Sequence, residues 1–240
     1  MPRPIGFSTG SLAFSDFRAA LAAMAGCNAT AVELSALREI ELDPLLLALP
    51  LMAADLRKYS HVSIHAPSVL RSINEAELVE RLRPVALTGR PIVVHADLIR
   101  QPAIWRSLGR SVLIENMDRR KDTGRTVGEL RKLFTQLPQS RFCLDLAHAR
   151  QVDPSLCETL WFFREFGDRI AQIHLSELST DSRHEPLSFS AVAALREVMT
   201  ELGPEVPIIL EFKAEPHLLN SHIHLVESVL RPSLRISQTA

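Results

Sequence analysis

Ile92-Val93-Val94-His95-Ala96-Asp97 and, after a short connection, Ser111-Val112-Leu113-Ile114-Glu115-Asn116-Met117 follow one pattern. Each is an apolar, β-branched run that ends in a His or a Glu and then in a polar break. Such a run suits a strand covered on both faces, as in a parallel sheet. Working outward, the pattern recurs at Ile5–Gly10, Ala31–Ala36, Val62–Pro67, Arg141–His148, Ile170–Glu177 and Pro207–Phe212. The starts recur roughly every 30 residues, the size of a βα unit. Eight units fill the 240 residues without a linker or a low-complexity segment. The expected fold class is therefore α/β, a single (β/α)8 barrel over residues 1–240. An open doubly wound sheet is the alternative, but no GxGxxG follows any strand and no P-loop occurs.

Helical patterns lie between the strands. Ser15-Asp16-Phe17 opens one that runs through Leu21 and Met24 to Gly26, and Asp43-Pro44 opens another with Leu45, Leu46, Leu49, Met52, Ala53 and Leu56 on its apolar side. Asn74 followed by Glu77 has the spacing of a capping box. Further helices are expected at Thr126–Gln136, Pro154–Phe166, Ser188–Leu202 and Ser221–Leu230, with a short one within Gln101–Leu108.

Composition narrows the function classes. Apolar residues at 46% and charged residues at 23% are ordinary globular values, enough for a sizeable core. The 27 Lys+Arg against 28 Asp+Glu leave a net charge of −1, unlike the strongly basic surface of a general nucleic-acid binder. Cys27, Cys143 and Cys157 form no CxxC pair, so neither a disulfide framework nor a Cys-type zinc site is expected. The N-terminal residues show no secretory pattern. Leu42 to Leu56, the most apolar stretch, is broken by Asp43, Pro44, Pro50 and Asp55 and is too short to span a bilayer. A cytoplasmic location with no membrane partner is the expectation.

Acids and histidines gather at one end of the units. His65, His95, Glu115, Asp145, His174 and Glu211 each end an expected strand, the third to the eighth, and His148 follows one turn after Asp145. Closing a barrel brings all C-terminal strand ends to one mouth. A single His or Glu after an apolar triplet is ordinarily a hydrogen-bonded rim residue. Seven together would be costly to bury, and their carboxylates would repel each other. A divalent cation removes both objections by neutralising carboxylates and accepting imidazole lone pairs.

The arrangement resembles the xylose isomerase-like TIM-barrel superfamily, also called the family-2 AP endonuclease group, over nearly the whole chain from Ile5-Gly6-Phe7-Ser8 to Glu211-Phe212. The resemblance implies a divalent metal ion (Mn²⁺, Mg²⁺, Co²⁺ or Zn²⁺) held by Glu115, Asp145, His174 and Glu211. It implies first an isomerase or epimerase acting on a small sugar, sugar phosphate or related hydroxy-carbonyl compound through a metal-stabilised enediolate. Glu115 and Glu211 would be the catalytic acid/base pair. His148, Arg183, His65, His95 and Lys213 are candidate substrate-binding residues.

The endonuclease IV-like branch is also similar, through Ser63-Ile64-His65-Ala66-Pro67, Leu113-Ile114-Glu115-Asn116, Cys143-Leu144-Asp145-Leu146-Ala147-His148 and Arg183-His184. This implies the alternative, a multinuclear metal phosphoesterase whose second site uses His65, His95, His148 and His184. Ser182 stands where that branch's D-R-H element has its aspartate, with Asp181 beside it, and the connection between the fourth and fifth strands is short. Both departures disfavour nucleic acid as partner and leave a small-molecule substrate. A non-catalytic metal-containing binding barrel is a third option, and the resemblance leaves a homodimer open.

Smaller expectations concern Glu33, read as a hydrogen-bonded barrel residue, and Trp105 and Phe14, read as core or helix packing ahead of apolar walls of the mouth. His222 and His224 are spaced i, i+2, on different sides of a helix.

Overall fold

In the computed structural model, residues 2–14, 16–199, 201, 203 and 205–230 are described. Eight parallel strands close into a barrel: β1 (Ile5–Ser8), β2 (Ala31–Ser35), β3 (His61–His65), β4 (Ile92–His95), β5 (Val112–Glu115), β6 (Arg141–Asp145), β7 (Ile170–Leu175) and β10 (Ile208–Leu210). A short antiparallel hairpin, β8 (Glu177–Leu178) with β9 (His184–Glu185), is inserted after β7. Around the ring run α1 (Thr9–Leu12), α2 (Phe17–Ala23), α3 (Glu39–Ala48), α4 (Ala53–Leu56), α5 (Glu75–Leu87), α6 (Pro102–Trp105), α7 (Val127–Gln136), α8 (Leu146–Val152), α9 (Cys157–Phe166), α10 (Phe189–Met199) and α11 (Leu219–Leu230). The main core lies between sheet and helices, where Trp105, Phe142, Phe162 and Phe212 are fully buried. The barrel closes tightly at Gly6, where a Cβ would stand 1.7 Å from the Ala31 carbonyl oxygen.

Local hydrogen bonds explain where elements begin. The Asn74 side chain accepts from the Glu77 N–H at 3.0 Å and the Glu77 carboxylate accepts from the Asn74 N–H at 3.0 Å, the expected reciprocal cap. Other boundaries shift from the sequence reading. The helix expected from Asp43-Pro44 starts at Glu39 with Pro44 inside it, because the Glu41 carboxylate caps the Arg38 N–H at 3.1 Å and the earlier start buries Leu42. The sixth strand ends at Asp145 as expected, and its side chain accepts from the His148 N–H at 2.7 Å and starts α8. The helix expected from Pro154 begins at Cys157, after Asp153 Oδ1 accepts from the Ser155 N–H at 3.0 Å and the chain passes through a left-handed Leu156 at φ 62. The helix expected from Ser221 begins at Leu219, after a 3-10 turn at Pro216–Leu218. Ser15 and Leu202, at the ends of two expected helices, lie outside the described residues. Among the described residues, no helix is long and apolar enough to cross a membrane.

Candidate metal centre

Strand alternation decides which side chains meet. Inside the barrel Val93, Leu113 and Cys143 form a small apolar layer. Two residues further along the same strands, hence on the same face, stand His95, Glu115 and Asp145. His65 on β3, His174 on β7 and Glu211 just beyond β10 complete this upper layer, and all but the partly exposed His95 are buried.

The two Glu115 oxygens face different histidines. Oε2 lies 3.1 Å from His65 Nε2 and 3.5 Å from His95 Nε2. Oε1 lies 3.2 Å from His174 Nδ1 and 3.6 Å from His148 Nδ1. Glu211 Oε2 is 3.3 Å from the same His174 Nδ1. Two ligand sets result, His65–His95–Glu115 and Glu115–Asp145–His174–Glu211, and the ligand atoms of each lie within 4.8 Å of one another. Glu115 belongs to both.

Neighbours hold these groups in place. His65 Nδ1 donates to the Ala66 carbonyl at 2.7 Å, and His148 Nδ1 donates to the Asn116 carbonyl at 2.9 Å. The Asn116 side chain brackets the Asp145 backbone, donating to its carbonyl at 2.9 Å and accepting from its N–H at 2.7 Å. Such outer contacts orient ligands before an ion arrives.

Burial works against every charge here, and opposite charges overrule it at most positions. Burial would raise Glu115, but His174 and His95 hold it well below the usual carboxylate range. Glu211 is likewise brought to about 2, against burial, by His174. Burial would lower His65, yet the Glu115 hydrogen bond and the surrounding carboxylates carry it to about 9. His174 is raised well above its ordinary value in the same way. His95 goes the other way, down to about 4, through burial that Glu115 offsets only in part. Burial raises Asp145, and its buried Oδ2 has no hydrogen-bond partner. Imidazolium protons thus do the neutralising that a cation would do, and an orphaned carboxylate oxygen stands ready. The residues fit a divalent ion, and the mixed nitrogen and oxygen donors suit Zn²⁺, Mn²⁺ or a similar ion.

The structure divides the histidines expected in one second site. His65 and His95 join Glu115, whereas His148 and His184 stand on the other flank with ring centroids 5.6 Å apart. His184 accompanies Ser176, Nδ1 to Oγ 2.8 Å, and lies 4.0 Å from Glu211. Ser182 is turned to Gln151, which donates to its hydroxyl at 2.7 Å, and Asp181 is exposed. Arg183 and Lys213 are exposed, and neither side chain has a hydrogen-bond or ion-pair partner among the described residues. Trp105 is core, donating to Glu75 at 2.8 Å, whereas Phe14, read as packing, is 71% exposed. His222 packs on Phe212 at 4.8 Å. The sequence reading passes over Asn116 and Gln172 as working residues. Gln172 stands two positions before His174 on the same face, a signal that alternation could have supplied.

No protein-family model and no curated sequence matches the chain. Solved structures do. Endonuclease IV from Thermus thermophilus is 21% identical, with TM-score 0.62 over 95% of this chain and 99% of that one. What the chains share is the closed eight-stranded βα barrel. A xylose isomerase domain protein from Alicyclobacillus acidocaldarius is 12% identical, with TM-score 0.64 over 95% and 98% of the two chains. The 3-keto-D-glucoside 4-epimerase from E. coli is 13% identical, with TM-score 0.61 over 94% and 99%. At such identities the likeness shows the fold, which carries several chemistries, and the site has to argue for one.

Proposed function

We propose that the protein is a divalent-metal-dependent enzyme with a two-ion centre that hydrolyses a phosphate ester. The observation that carries this is the two-sided Glu115, with one oxygen toward His65 and His95 and the other toward His174. A carboxylate so placed could serve two ions, whereas a one-ion isomerase would use His65 and His95 only to bind substrate. His65 and His95 would hold one ion with Glu115, and Asp145, His174 and Glu211 the other. Two such ions supply Lewis-acid stabilisation of charge on phosphoryl oxygens and make water more acidic. The chain's own residues do the rest. Glu115, Asp145 and His174 are sealed from solvent, while the His184 side chain is 29% exposed and that of Glu211 9%. His184, 4.0 Å from Glu211, is therefore the side chain placed to meet a leaving oxygen as it departs.

A small phosphoester suits the mouth better than a polyanion. Arg120 is paired with Asp118, Lys121 with Asp97 at 2.6 Å and Arg150 with Glu177 at 3.3 Å, which leaves Arg183 and Lys213, too few for a long phosphate backbone but enough for one phosphate group.

The isomerase or epimerase reading has one observation in its favour. Glu115 and Glu211 flank His174 Nδ1 at 3.2 and 3.3 Å, so a single ion there would set both carboxylates on one substrate as an acid/base pair. Elemental analysis of protein purified without chelator separates the two, together with turnover of bis(p-nitrophenyl) phosphate and of a panel of ketoses. Two ions per chain with phosphoester cleavage support the proposal. One ion with ketose turnover overturns it in favour of the isomerase.

A further inference from the structure

One buried carboxylate near the centre belongs to neither ligand set. Glu33, on β2, is fully buried, and an isolated buried carboxylate is expensive. Its Oε2 is surrounded by donors: the Gln172 side-chain nitrogen at 2.7 Å, Ser63 Oγ at 3.2 Å and His174 Nε2 at 3.0 Å. Gln172 is itself fixed, because its Oε1 accepts from His61 Nε2 at 2.8 Å. That leaves its amide nitrogen to donate, and this nitrogen stands 2.7 Å from Glu33 Oε2 and 2.8 Å from His174 Nε2, so it competes with Glu33 for the ring: a lone pair on His174 Nε2 would accept from the amide, whereas a proton there would be donated to the carboxylate.

This reverses the usual presentation of an imidazole in the cluster. His65 and His148 have Nδ1 occupied by backbone carbonyls, at 2.7 and 2.9 Å, which leaves Nε2 as the free lone pair. His174 has Nε2 occupied by a carboxylate and turns Nδ1 toward Glu115 Oε1 at 3.2 Å and Glu211 Oε2 at 3.3 Å. A ring nitrogen binds a metal through its lone pair only when the proton sits on the other nitrogen, and the partner of that other nitrogen decides where it sits. A neutral carbonyl would serve for orientation. An anionic acceptor adds charge and makes the ring a stronger donor to the ion.

We propose that Glu33 is a positioning residue for the centre: it holds the Nε2–H form of His174 and so delivers the Nδ1 lone pair to the ion that Glu115, Asp145 and Glu211 share. Ser63 and the Gln172–His61 pair keep the Glu33 carboxylate in place. The inference rests on the metal-centre reading but not on the reaction assigned to it.

The test uses Zn²⁺ as probe and ¹⁵N-histidine-labelled full-length protein, with the His174 signals assigned by their loss in H174Q. Long-range ¹H–¹⁵N correlation of the zinc-loaded wild type is expected to show His174 protonated at Nε2 and zinc-bound at Nδ1. In Glu33→Gln, calorimetry is expected to show zinc binding weakened roughly 10- to 100-fold, with zinc found on both ring nitrogens of His174 in the loaded protein. A residue that merely filled the barrel would change the melting temperature and leave the zinc-bound nitrogen unchanged. Zinc bound through Nε2 in the wild type overturns the inference even if Glu33→Gln fails to fold. So does a folded Glu33→Gln with wild-type zinc affinity and zinc on Nδ1 alone. A wild type that takes up no zinc at all removes the metal-centre reading itself, a different failure from zinc bound through the wrong nitrogen.

Discussion

If Glu115 serves two ions, its loss and the loss of a ligand to one ion must differ in kind. Glu115→Gln keeps the shape and removes one negative charge from both ligand sets, whereas His95→Ala removes one neutral donor from the first set only. The Glu115 oxygens lie 3.1 to 3.6 Å from the four surrounding imidazole nitrogens, so ions among those nitrogens would sit within about 4 Å of the charge. Unit charges at 4 Å attract by about 4 kcal/mol at an effective dielectric constant of 20, and an ion carries two. Even one such increment, after desolvation has taken its share, corresponds to roughly 1,000-fold weaker binding at each position. The assay is Zn²⁺ titration followed by calorimetry, with elemental analysis after gel filtration. The wild type should retain two ions, His95→Ala one and Glu115→Gln none. Thermal unfolding gives an independent reading, since a ligand at 100 times its dissociation constant stabilises by about 2.7 kcal/mol, and Glu115→Gln should lose that response. The reasoning fails if Glu115→Gln still holds two ions, or if His95→Ala loses both.

Three further outcomes are expected. His65 is raised to about 9 from an ordinary 6.5, so its imidazolium stabilises the ion-free fold fully below pH 6.5, and that contribution is lost as pH rises through 9; melting of chelator-treated protein from pH 6.5 to 9.5 should fall, and a flat profile would contradict the His65–Glu115 ion pair. Loading Zn²⁺ at pH 7 should release protons, because His65 must give one up to become a ligand; equal calorimetric heats in buffers of different ionisation enthalpy would contradict this. Away from the centre, Glu75 accepts from the Arg100 and Gln101 N–H groups at 3.1 Å each and from Trp105 Nε1 at 2.8 Å; Glu75→Ala strands three donors at about 1–3 kcal/mol each, and urea unfolding should show a loss of at least about 3 kcal/mol.

The barrel is legible in the sequence because its strands are buried on both faces and read as apolar runs at βα spacing, and because the ends of those runs carry residues whose burial needs a reason. The closed order β1-β10-β7-β6-β5-β4-β3-β2 follows from that count. Boundaries are less legible because side-chain caps decide them. Pro44 looks like a helix start until Glu41 is seen capping Arg38 upstream, and Pro154 looks like another until Asp153 and a left-handed Leu156 delay the helix to Cys157. The candidate ligands are legible as a set, but their partition is not. Sequence spacing places His65, His95, His148 and His184 at one mouth without saying that the first three meet Glu115 and His184 lies by Glu211. Barrel closure and side-chain direction decide that, and they send two histidines to each side.

The barrel interior shows the same division one layer lower. Beneath His95, Glu115 and Asp145 lie Val93, Leu113 and Cys143, an apolar floor that gives those ligands no polar competitor from below. Beneath His174 the floor is polar instead, with Gln172, Glu33 and Ser63 joined by hydrogen bonds of 2.7 and 3.2 Å. If stability alone shaped the lumen, apolar side chains would serve equally well on both sides, since a buried polar network rarely beats a packed apolar one. The network lies under the one imidazole that both Glu115 and Glu211 face. This is where the second ion would need its nitrogen donor turned correctly, and where a freely rotating ring would find carboxylates on either side to hold it wrongly. The polar floor is therefore best understood as support for the centre above it, and the ring nitrogen to which zinc binds in His174 is the measurement on which that argument stands.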